Sequence, residues 1–271
     1  MPSTIQIGDT GEAVRECQRL LTAHQYELTV DGVFGSGTES KVMQFQRAKS
    51  LAADGVVGPA TWAALYEEPT NALPEPPQPL PPVLIHLMSL GHRVVWRGDY
   101  HLNLFGIRNP EANSNSFDDT LGVAYTVNGK WRVHYWPGTT DPGFFHRENP
   151  SKVSGVAALV EDQYIDTWMI DLHAGKYEAL CQRGNTVRVY RDDNRDTILD
   201  LDKDTIEEGW FGINIHRSSI SGQSSEVGKW SAGCQVHATL DGFNQMMALA
   251  KKQVEHLGLD RFTYTLMPQW W

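Results

Sequence analysis

The stretch from His216 to Cys234 contains the residue types of a nucleophilic site. The sequence Ser231-Ala232-Gly233 directly precedes Cys234, and His216 lies upstream in the pattern His-x17-Cys. A cysteine attacks as the thiolate, so a thiol with an ordinary pKa needs a base to take its proton. Histidine titrates near neutrality and is the usual base. The pattern therefore predicts Cys234 as nucleophile and His216 as its base, and an inert buried cysteine is the alternative.

The elements around these two residues are expected to position them. The run FGINI (211–215) reads as a strand that ends at His216, and QVHA after Cys234 reads as a short extended run. Residues at neighbouring strand ends can face each other across a sheet. Backbone N–H groups in the turn formed by Ser231 and Gly233 are candidates for an oxyanion hole. We therefore include both turn residues in the predicted catalytic set.

Five further side chains are candidates to contact a substrate. Asn214 and Arg217 flank His216, and the Arg217 guanidinium could recognise an anion. Trp230 precedes the Ser-Ala-Gly-Cys turn, where it either borders a groove or caps the core. His173 and Tyr177 follow the run TWMIDL and could line the same cleft. No residues are assigned to a metal.

Residues 84–271 are predicted to be rich in β-structure. Asn128-Gly129 between two alternating runs is a strong signal for a hairpin turn. One helix is predicted after the cysteine, over about 239–257, because its apolar residues recur at helical spacing. The predicted strands are RVVW (93–96), HLNLFGI (101–107), LGVAYTV (121–127), KWRVHYW (130–136), TWMIDL (167–172), TVRVYR (186–191), FGINI (211–215) and FTYTL (262–266).

A proline-rich stretch divides the chain. Residues 67–83 read EEPTNALPEPPQPLPPV and hold half of the 14 prolines. Proline fixes φ and removes a backbone donor, which predicts an extended, semi-rigid spacer. The expected organisation is a domain over 1–66, a linker over 67–83 and a second domain over 84–271. The fold class is α+β, with a small three-helix domain followed by a β-rich one.

The first domain contains an internal repeat. DGVFGSGTESKVMQF begins at Asp31 and DGVVGPATWAAL begins at Asp54, and in each copy an Asp-Gly turn precedes a helix-like run. Upstream, Cys17 lies on a helical apolar stripe, which predicts an inert core thiol. The pattern predicts three short helices joined by Asp-Gly turns.

The segments GDTGEAVRECQRLL, DGVFGSGTESKVMQFQ and DGVVGPATWAAL closely resemble the peptidoglycan-binding domain that accompanies many cell-wall enzymes. The resemblance runs from about Ile5 to Leu65. It implies a non-catalytic module whose partner is bacterial peptidoglycan. A three-helix module that binds something else is the alternative.

The stretch GINIHR…VGKWSAGCQV resembles the active-site motif of L,D-transpeptidases of the YkuD type. That resemblance implies a β-rich catalytic domain with Cys234 as nucleophile, His216 as base and murein stem peptides as substrates. Two positions depart from the family pattern. Ala232 stands where a second histidine is usual, and Val236 stands where an arginine associated with the substrate carboxylate is usual.

The reaction depends on what accepts the acyl group. An amine acceptor would make a crosslink, whereas water would release a cut peptide. The chain begins MPSTIQIGDTGEAV, with no basic n-region followed by an apolar h-region, so no Sec-type signal peptide is expected. We therefore expect a hydrolase that reaches the wall by lysis or a specialised secretion system. L,D-transpeptidation is the first alternative, and a protein that only binds the wall is another.

The composition of the chain argues against several classes of function, among them nucleic-acid binding and membrane insertion. With 41% hydrophobic and 21% charged residues the chain can bury a core, and at a net charge of −10 nucleic acid is not an expected partner. No apolar run is long enough for membrane insertion, and three cysteines without a CxxC pair do not indicate a disulfide framework. No cofactor is expected, and we expect a monomer.

Two other clusters of side chains suggest metal binding. Ten histidines without an HExxH motif leave a zinc peptidase or amidase as an alternative, which would need three His or Asp side chains converging away from Cys234. The acidic run 192–204 could bind calcium. However, it lacks the glycine and the closing glutamate of an EF-hand, so a solvated loop is the favoured interpretation.

Overall fold

The computed structural model describes residues 2–24, 26, 28–67, 75–110 and 115–271. The chain divides into two compact units, Met1–Glu75 and Pro76–Trp271. The boundary falls inside the stretch 67–83, which the prolines mark as a linker. Residues 68–74 of that stretch lie outside the described residues, so the linker conformation stays a prediction.

The first unit contains the three predicted helices. Its core includes the fully buried Val14, Phe45 and Trp62. Cys17 is also fully buried, and this burial raises the pKa of its thiol to about 12, as expected for an inert packing residue. The helices are α1 (Glu12–Ala23), α2 (Ser36–Ala48) and α3 (Pro59–Tyr66).

The sequence repeat is also a repeat of hydrogen bonds. Gln18 Nε2 donates to Asp31 Oδ1 at 2.8 Å, and Gln18 Oε1 accepts the N–H of the next glycine at 2.8 Å. In the second copy Gln46 Nε2 donates to Asp54 Oδ1 at 2.9 Å, and its Oε1 accepts the equivalent glycine N–H at 3.0 Å. Each Asp-Gly turn is therefore held by one buried glutamine from a preceding helix.

In the second unit, the described strands form a closed eight-stranded barrel and a separate three-stranded sheet. The barrel order is β1-β11-β5-β6-β9-β10-β3-β2, and the small sheet has the order β4-β7-β8. The strands are β1 (Asn103–Arg108), β2 (Asp119–Val127), β3 (Lys130–Thr139), β4 (Val156–Leu159), β5 (Asp162–His173), β6 (Tyr177–Gln182), β7 (Val187–Asp192), β8 (Glu207–Gly209), β9 (Ile215–Arg217), β10 (Gln235–His237) and β11 (Arg261–Pro268).

Three helices accompany the barrel in the described residues: α4 (Pro82–Ser89), α5 (Phe144–Glu148) and α6 (Leu240–Leu257). Helix α6 matches the prediction over 239–257. Thr239 caps its first turn by accepting the Gly242 N–H at 3.2 Å, and Gly258 ends it in the left-handed conformation. Its apolar face, including Phe243 and Ala250, belongs to the barrel core. The α+β fold class is confirmed.

Several strand predictions are confirmed, and the hairpin at Asn128-Gly129 is formed with positive φ at both residues. The prediction of a strand at 93–96 is wrong, because side chains rather than a neighbouring strand satisfy its backbone. Asn103 Oδ1 accepts the Val95 N–H and Asn103 Nδ2 donates to the Val95 carbonyl, both at 2.7 Å. A side-chain amide here replaces a strand partner.

The predicted strand at 211–215 is also wrong over most of its length. Only Ile215 belongs to a strand, β9. The backbone N–H groups of residues 211–213 all donate to Gln182 Oε1, at 3.2, 2.9 and 3.1 Å. This buried glutamine holds the segment as a loop that leads into β9.

Candidate active site

His216 lies in β9, and Cys234 immediately precedes β10, the parallel strand paired with β9. Strand β9 pairs with β10 in parallel, with His216 opposite Val236. Cys234 comes immediately before β10, and Asn214 comes immediately before β9. The Asn214 carbonyl accepts the N–H of Gln235 at 2.9 Å, which continues the pairing to the cysteine. The strand pair therefore brings together the two ends of the motif.

As a residue Cys234 is partly exposed, whereas the other two cysteines are buried. Its Sγ accepts the Asn214 N–H at 3.4 Å and lies 3.6 Å from the Gly212 carbonyl, to which it can donate. Burial raises the pKa of the Cys234 thiol to about 11, while the Asn214 N–H lowers it. The resting residue is therefore a neutral thiol at neutral pH.

His216 is held as one tautomer. Its Nδ1 lies 2.8 Å from the Arg217 carbonyl oxygen, which can only accept, so we place the proton on Nδ1. That leaves Nε2 with a lone pair to accept a proton. The side chain is 4% exposed, and burial, with smaller contributions from His173 and Arg217, lowers its pKa to about 3. The resting imidazole is therefore neutral.

The structure brings four of the predicted contact residues around His216. The His173 ring stacks on the His216 ring at a centroid distance of 4.2 Å, and His173 Nδ1 lies 3.1 Å from Asn214 Nδ2. The Tyr177 hydroxyl lies 3.5 Å from His216 Nδ1 and donates to the Arg217 carbonyl at 3.4 Å. The Arg217 guanidinium lies 4.0 Å from the Tyr177 ring centroid. These residues form one polar wall.

Within the described residues, the candidate nucleophile Cys234 and the candidate base His216 are not hydrogen-bonded to each other. The Cys234 sulfur contacts Asn214 N–H and the Gly212 carbonyl, and His216 contacts the Arg217 carbonyl and the Tyr177 hydroxyl. Catalytic hydrogen bonds are often long or poorly aligned before substrate binds. In the resting arrangement the Cys234 thiol therefore donates towards the Gly212 carbonyl and not towards the His216 imidazole.

The turn before Cys234 is built by the fully buried Ser231. Its Oγ donates to the Cys234 carbonyl at 2.8 Å and accepts the Gly233 N–H at 3.1 Å. The Gly233 amide is thus occupied, and the Cys234 N–H is a candidate donor to an oxyanion. Gly233 has φ +116°, and a Cβ there would collide with the Ala157 carbonyl oxygen. Glycine is required at this position on both grounds.

Trp230, the last of the predicted contact residues, does not cap the core. Its side chain is 46% exposed, and its backbone N–H donates to the Val227 carbonyl at 2.8 Å. No contact of the Trp230 ring joins it to Cys234 or His216 in the described residues. It is therefore available at the surface near the turn.

Two buried positions beside the candidate site were missed by sequence reasoning. Gln182 fixes the loop before β9 and also donates its backbone N–H to Asn214 Oδ1 at 2.9 Å. A glutamine two residues after Leu180, on the core-facing side of a strand, was the available signal. His237 is buried, and burial and the nearby His216 lower its pKa to about 3. The sequence around His237 gave no sign that this histidine is buried.

The zinc alternative required three converging ligands. Within the described ranges, no group of three His, Cys, Asp or Glu side chains could hold a metal ion as it stands. No zinc ligand set is therefore assigned. In the same ranges, no helix combines the length and the apolar character that crossing a bilayer requires.

Comparison with known proteins identifies the first unit. Residues 10–65 match the family model described as a putative peptidoglycan binding domain. Over 67 residues the chain is 42% identical to the zinc D-Ala-D-Ala carboxypeptidase of Streptomyces albus G, a match that covers 24% of this chain and 26% of that protein. The protein therefore carries a domain of the peptidoglycan-binding type at its N-terminus.

Two solved structures give weaker likenesses. The crystal structure of the Burkholderia AP3 phage endolysin is 37% identical, over 28% of this chain and 27% of that chain, with a TM-score of 0.23. The crystal structure of the L,D-transpeptidase from Xylanimonas cellulosilytica is 16% identical, over 98% of each chain, with a TM-score of 0.25. The chain spans about a quarter of the length of the carboxypeptidase and of the endolysin, so the activities of these proteins are not transferred here.

Proposed function

We propose that this protein is a peptidoglycan-targeted cysteine peptidase that cleaves murein stem peptides or their crosslinks. One observation carries the proposal. The partly exposed Cys234 immediately precedes β10, the strand paired with the one that carries His216, and His216 Nδ1 is bound to a backbone carbonyl so that Nε2 can accept a proton. A thiol beside an imidazole of fixed tautomer is the arrangement that cysteine acyl transfer requires.

The first unit supports murein as the location of the substrate. Residues 10–65 match a putative peptidoglycan binding domain, and 67 residues are 42% identical to an enzyme named for D-Ala-D-Ala. A binding module joined to a catalytic unit by a spacer raises the effective concentration of its substrate. The protein would then act at the cell wall, outside the cytoplasmic membrane.

The proposed reaction begins with a neutral pair. When substrate binds, the Cys234 thiol turns from the Gly212 carbonyl towards His216 Nε2, which takes the proton as sulfur bonds to the peptide carbonyl carbon. The Cys234 N–H donates to the resulting oxyanion. Collapse breaks the C–N bond, and the imidazolium returns its proton to the leaving amine. Water then attacks the thioester, His216 takes and returns a proton, and the free thiol is restored.

Water as the acceptor is supported by the partial exposure of the residue that carries the thiol. A transpeptidase has to keep water from its thioester while it binds a second peptide, whereas Cys234 is partly exposed. Val236, at the position where the resembled family has an arginine, is fully buried. Arg217 beside His216 is a cation near the site, and we propose it as a contact for a substrate carboxylate.

The test is mass spectrometry of purified murein digested with wild-type protein, Cys234→Ala and the matched control Cys181→Ala. Cys181 is buried and donates weakly to the Asp171 carbonyl, so its loss removes a thiol but not the proposed nucleophile. We expect new, shorter muropeptides with wild type and Cys181→Ala, and none with Cys234→Ala.

The alternatives give different products. Larger or amine-exchanged muropeptides that depend on Cys234 would replace hydrolysis by L,D-transpeptidation. Equal cleavage by wild type and Cys234→Ala would refute the nucleophile, and loss of that cleavage on chelation would point to zinc. No cleavage by wild type under any of these conditions would leave wall binding as the function.

A further inference from the structure

The acidic loop after β7 has its oxygen-bearing side chains in an ordered pattern. Asp192, Asn194, Asp196 and Asp200 occupy the first, third, fifth and ninth positions of the segment DDNRDTILD. Calcium loops of the helix-loop-helix type take ligands from these positions, together with the backbone carbonyl of the seventh, which here is Ile198. The pattern alone does not define a site, because such runs are common on solvated surfaces.

The independent observation is the state of Asp192. Its side chain is 3% exposed, and neither carboxylate oxygen has a hydrogen-bond partner. Asp119, which is equally buried, accepts from Asn109 N–H at 2.7 Å and from Thr140 N–H at 2.6 Å. A buried carboxylate without donors is costly, and Asp192 is the only carboxylate in this condition among the residues that the structure describes.

The Asp192 carboxylate is directed towards the loop that follows it. Burial raises its pKa and the Asp200 and Asp196 carboxylates raise it further. The backbone N–H groups of Asp200 and Asn194 lie near enough to lower it but do not complete a hydrogen bond to either oxygen. The buried oxygens therefore face the other acidic side chains of the segment. Like charges gathered around an unpartnered carboxylate are the setting in which a cation binds.

The nearby positive charge is smaller than the negative charge. Arg147 donates from Nη1 to the Thr197 carbonyl at 2.8 Å. Burial lowers its pKa, while Asp141 and Asp192 act in the opposite direction, so its charge is shared between two carboxylates. Arg191 donates from Nε to Glu207 at 2.8 Å. Arg195 is exposed on the same loop. The four carboxylates of the segment 192–200 thus outnumber the two buried arginines beside it.

We propose that the loop 192–200 binds one calcium ion through Asp192, Asn194, Asp196, Asp200 and the Ile198 carbonyl. No three acidic side chains in the described residues have already converged, so the loop would close around the ion. The Asn194 Nδ2 bond to Asp200, 2.8 Å long, would give way in that step. Thr197 and Lys203 stand where the sixth-position glycine and the closing glutamate would be, which predicts weak binding, with a Kd of about 10⁻⁴ to 10⁻³ M.

Calcium binding at this loop would affect the segment that carries Cys234, because hydrogen bonds connect the two. Arg147 joins the loop at the Thr197 carbonyl and joins the Pro142 carbonyl through Nε at 2.7 Å. The next residue, Gly143, donates its N–H to the Ser231 carbonyl at 2.9 Å. The ion would therefore order the segment 142–147, which contacts the Ser231 turn. The site itself does not depend on the proposed peptidase activity.

The experiment is calcium titration of the chelator-treated full chain by isothermal calorimetry, with differential scanning calorimetry at about 10 mM calcium or magnesium. The variants are Asp192→Asn and Asp200→Asn, with Asp193→Asn as the matched control, because Asp193 is an exposed neighbour outside the proposed ligand set. We expect one saturable site and a rise in Tm with calcium that exceeds the rise with magnesium.

The two ligand variants should weaken calcium binding at least about tenfold, and the control should bind as wild type does. No saturable heat up to about 10 mM calcium would overturn the proposal, as would wild-type binding by either ligand variant. If Asp192→Asn does not fold, the exposed Asp200 decides, because its substitution leaves the buried side chains in place.

Discussion

At the scale of single residues, the candidate site is a neutral pair rather than an ion pair. Burial raises the pKa of Cys234 to about 11 and lowers that of His216 to about 3, so neither group is charged near pH 7. Many cysteine enzymes instead lower the thiol pKa with a nearby cation or a helix N-terminus. In the proposed mechanism His216 would therefore have to remove the proton during attack, and the rate would depend on how well substrate aligns the two groups.

This leads to a prediction about alkylation. With a pKa of about 11, the thiolate fraction of Cys234 at pH 7 is about 10⁻⁴. We expect iodoacetamide to label Cys234 slowly at pH 7 and about tenfold faster for each pH unit above it. Intact-mass spectrometry of a labelling time course measures this rate. Cys234→Ala is the control, since it reports any labelling of the buried Cys17 and Cys181.

A fast labelling rate that levels off between pH 5 and 7 would contradict the neutral pair. Such a plateau would mean that His216 holds the proton of Cys234 in the resting state. The proposed mechanism would then begin from a thiolate and an imidazolium.

At the scale of elements, the first unit depends on two buried glutamines. Gln46 joins α2 to the second Asp-Gly turn through Asp54 Oδ1, the Gly55 N–H and the Val56 carbonyl, at 2.9 to 3.0 Å. The sequence repeat predicts both turns. The two glutamines that hold the turns are not among the residues that the two copies share. The turns and helices are therefore coupled through side chains rather than through the backbone alone.

We predict that Gln46→Ala destabilises the first unit by about 2–4 kcal/mol, because it leaves a buried glycine N–H and a carbonyl without partners. Differential scanning calorimetry of the full chain measures the transition of this unit. Gln44→Ala on the same helix is the control, since Gln44 makes one long bond to Ser40 at 3.4 Å. Equal effects of the two substitutions would show that Gln46 does not hold the turn.

At the scale of the whole molecule, buried histidines make the barrel unit sensitive to acid. The folded pKa values of His216 and His237 are both about 3, below the ordinary value of 6.5. A depressed pKa contributes stability that is present above pH 6.5 and is lost as the pH falls towards 3. Asp119, whose pKa burial and Asp141 raise to about 7, contributes in the opposite direction.

We predict that His237→Phe flattens this acid dependence. His237 Nδ1 is buried without a hydrogen-bond partner, so an apolar ring loses no bond there. Between pH 6.5 and 4.5 wild type should lose about 2–3 kcal/mol more stability than the variant, from the one removed titration. Urea unfolding at the two pH values measures the difference, and comparison with wild type cancels the contribution of Asp119.

The control for this experiment is His256→Gln, because His256 is exposed on α6. It should follow the acid dependence of wild type. If His237→Phe follows it as well, His237 is protonated in the folded protein at pH 4.5, and its burial is not the source of the acid sensitivity.

Prediction from sequence succeeded where neighbours along the chain decide the structure. The Asn128-Gly129 hairpin, helix α6 and the three helices of the first unit follow from turn chemistry and periodicity. It failed at 93–96 and 211–215, where the side chains of Asn103 and Gln182 bind the backbone in place of a strand. Those two partners are remote in sequence or sit in another element, so no local pattern indicates them.

The sequence by itself determined the candidates Cys234 and His216, their order, and the domain that resembles a peptidoglycan-binding module. Residue type and spacing suffice for that. Only the tertiary structure decided that His216 Nε2 is the free nitrogen, that His173 stacks on the same ring, and that both reactive groups are neutral. Tautomer and pKa depend on burial and on the groups brought near by strand pairing, which are properties of the fold and not of the motif.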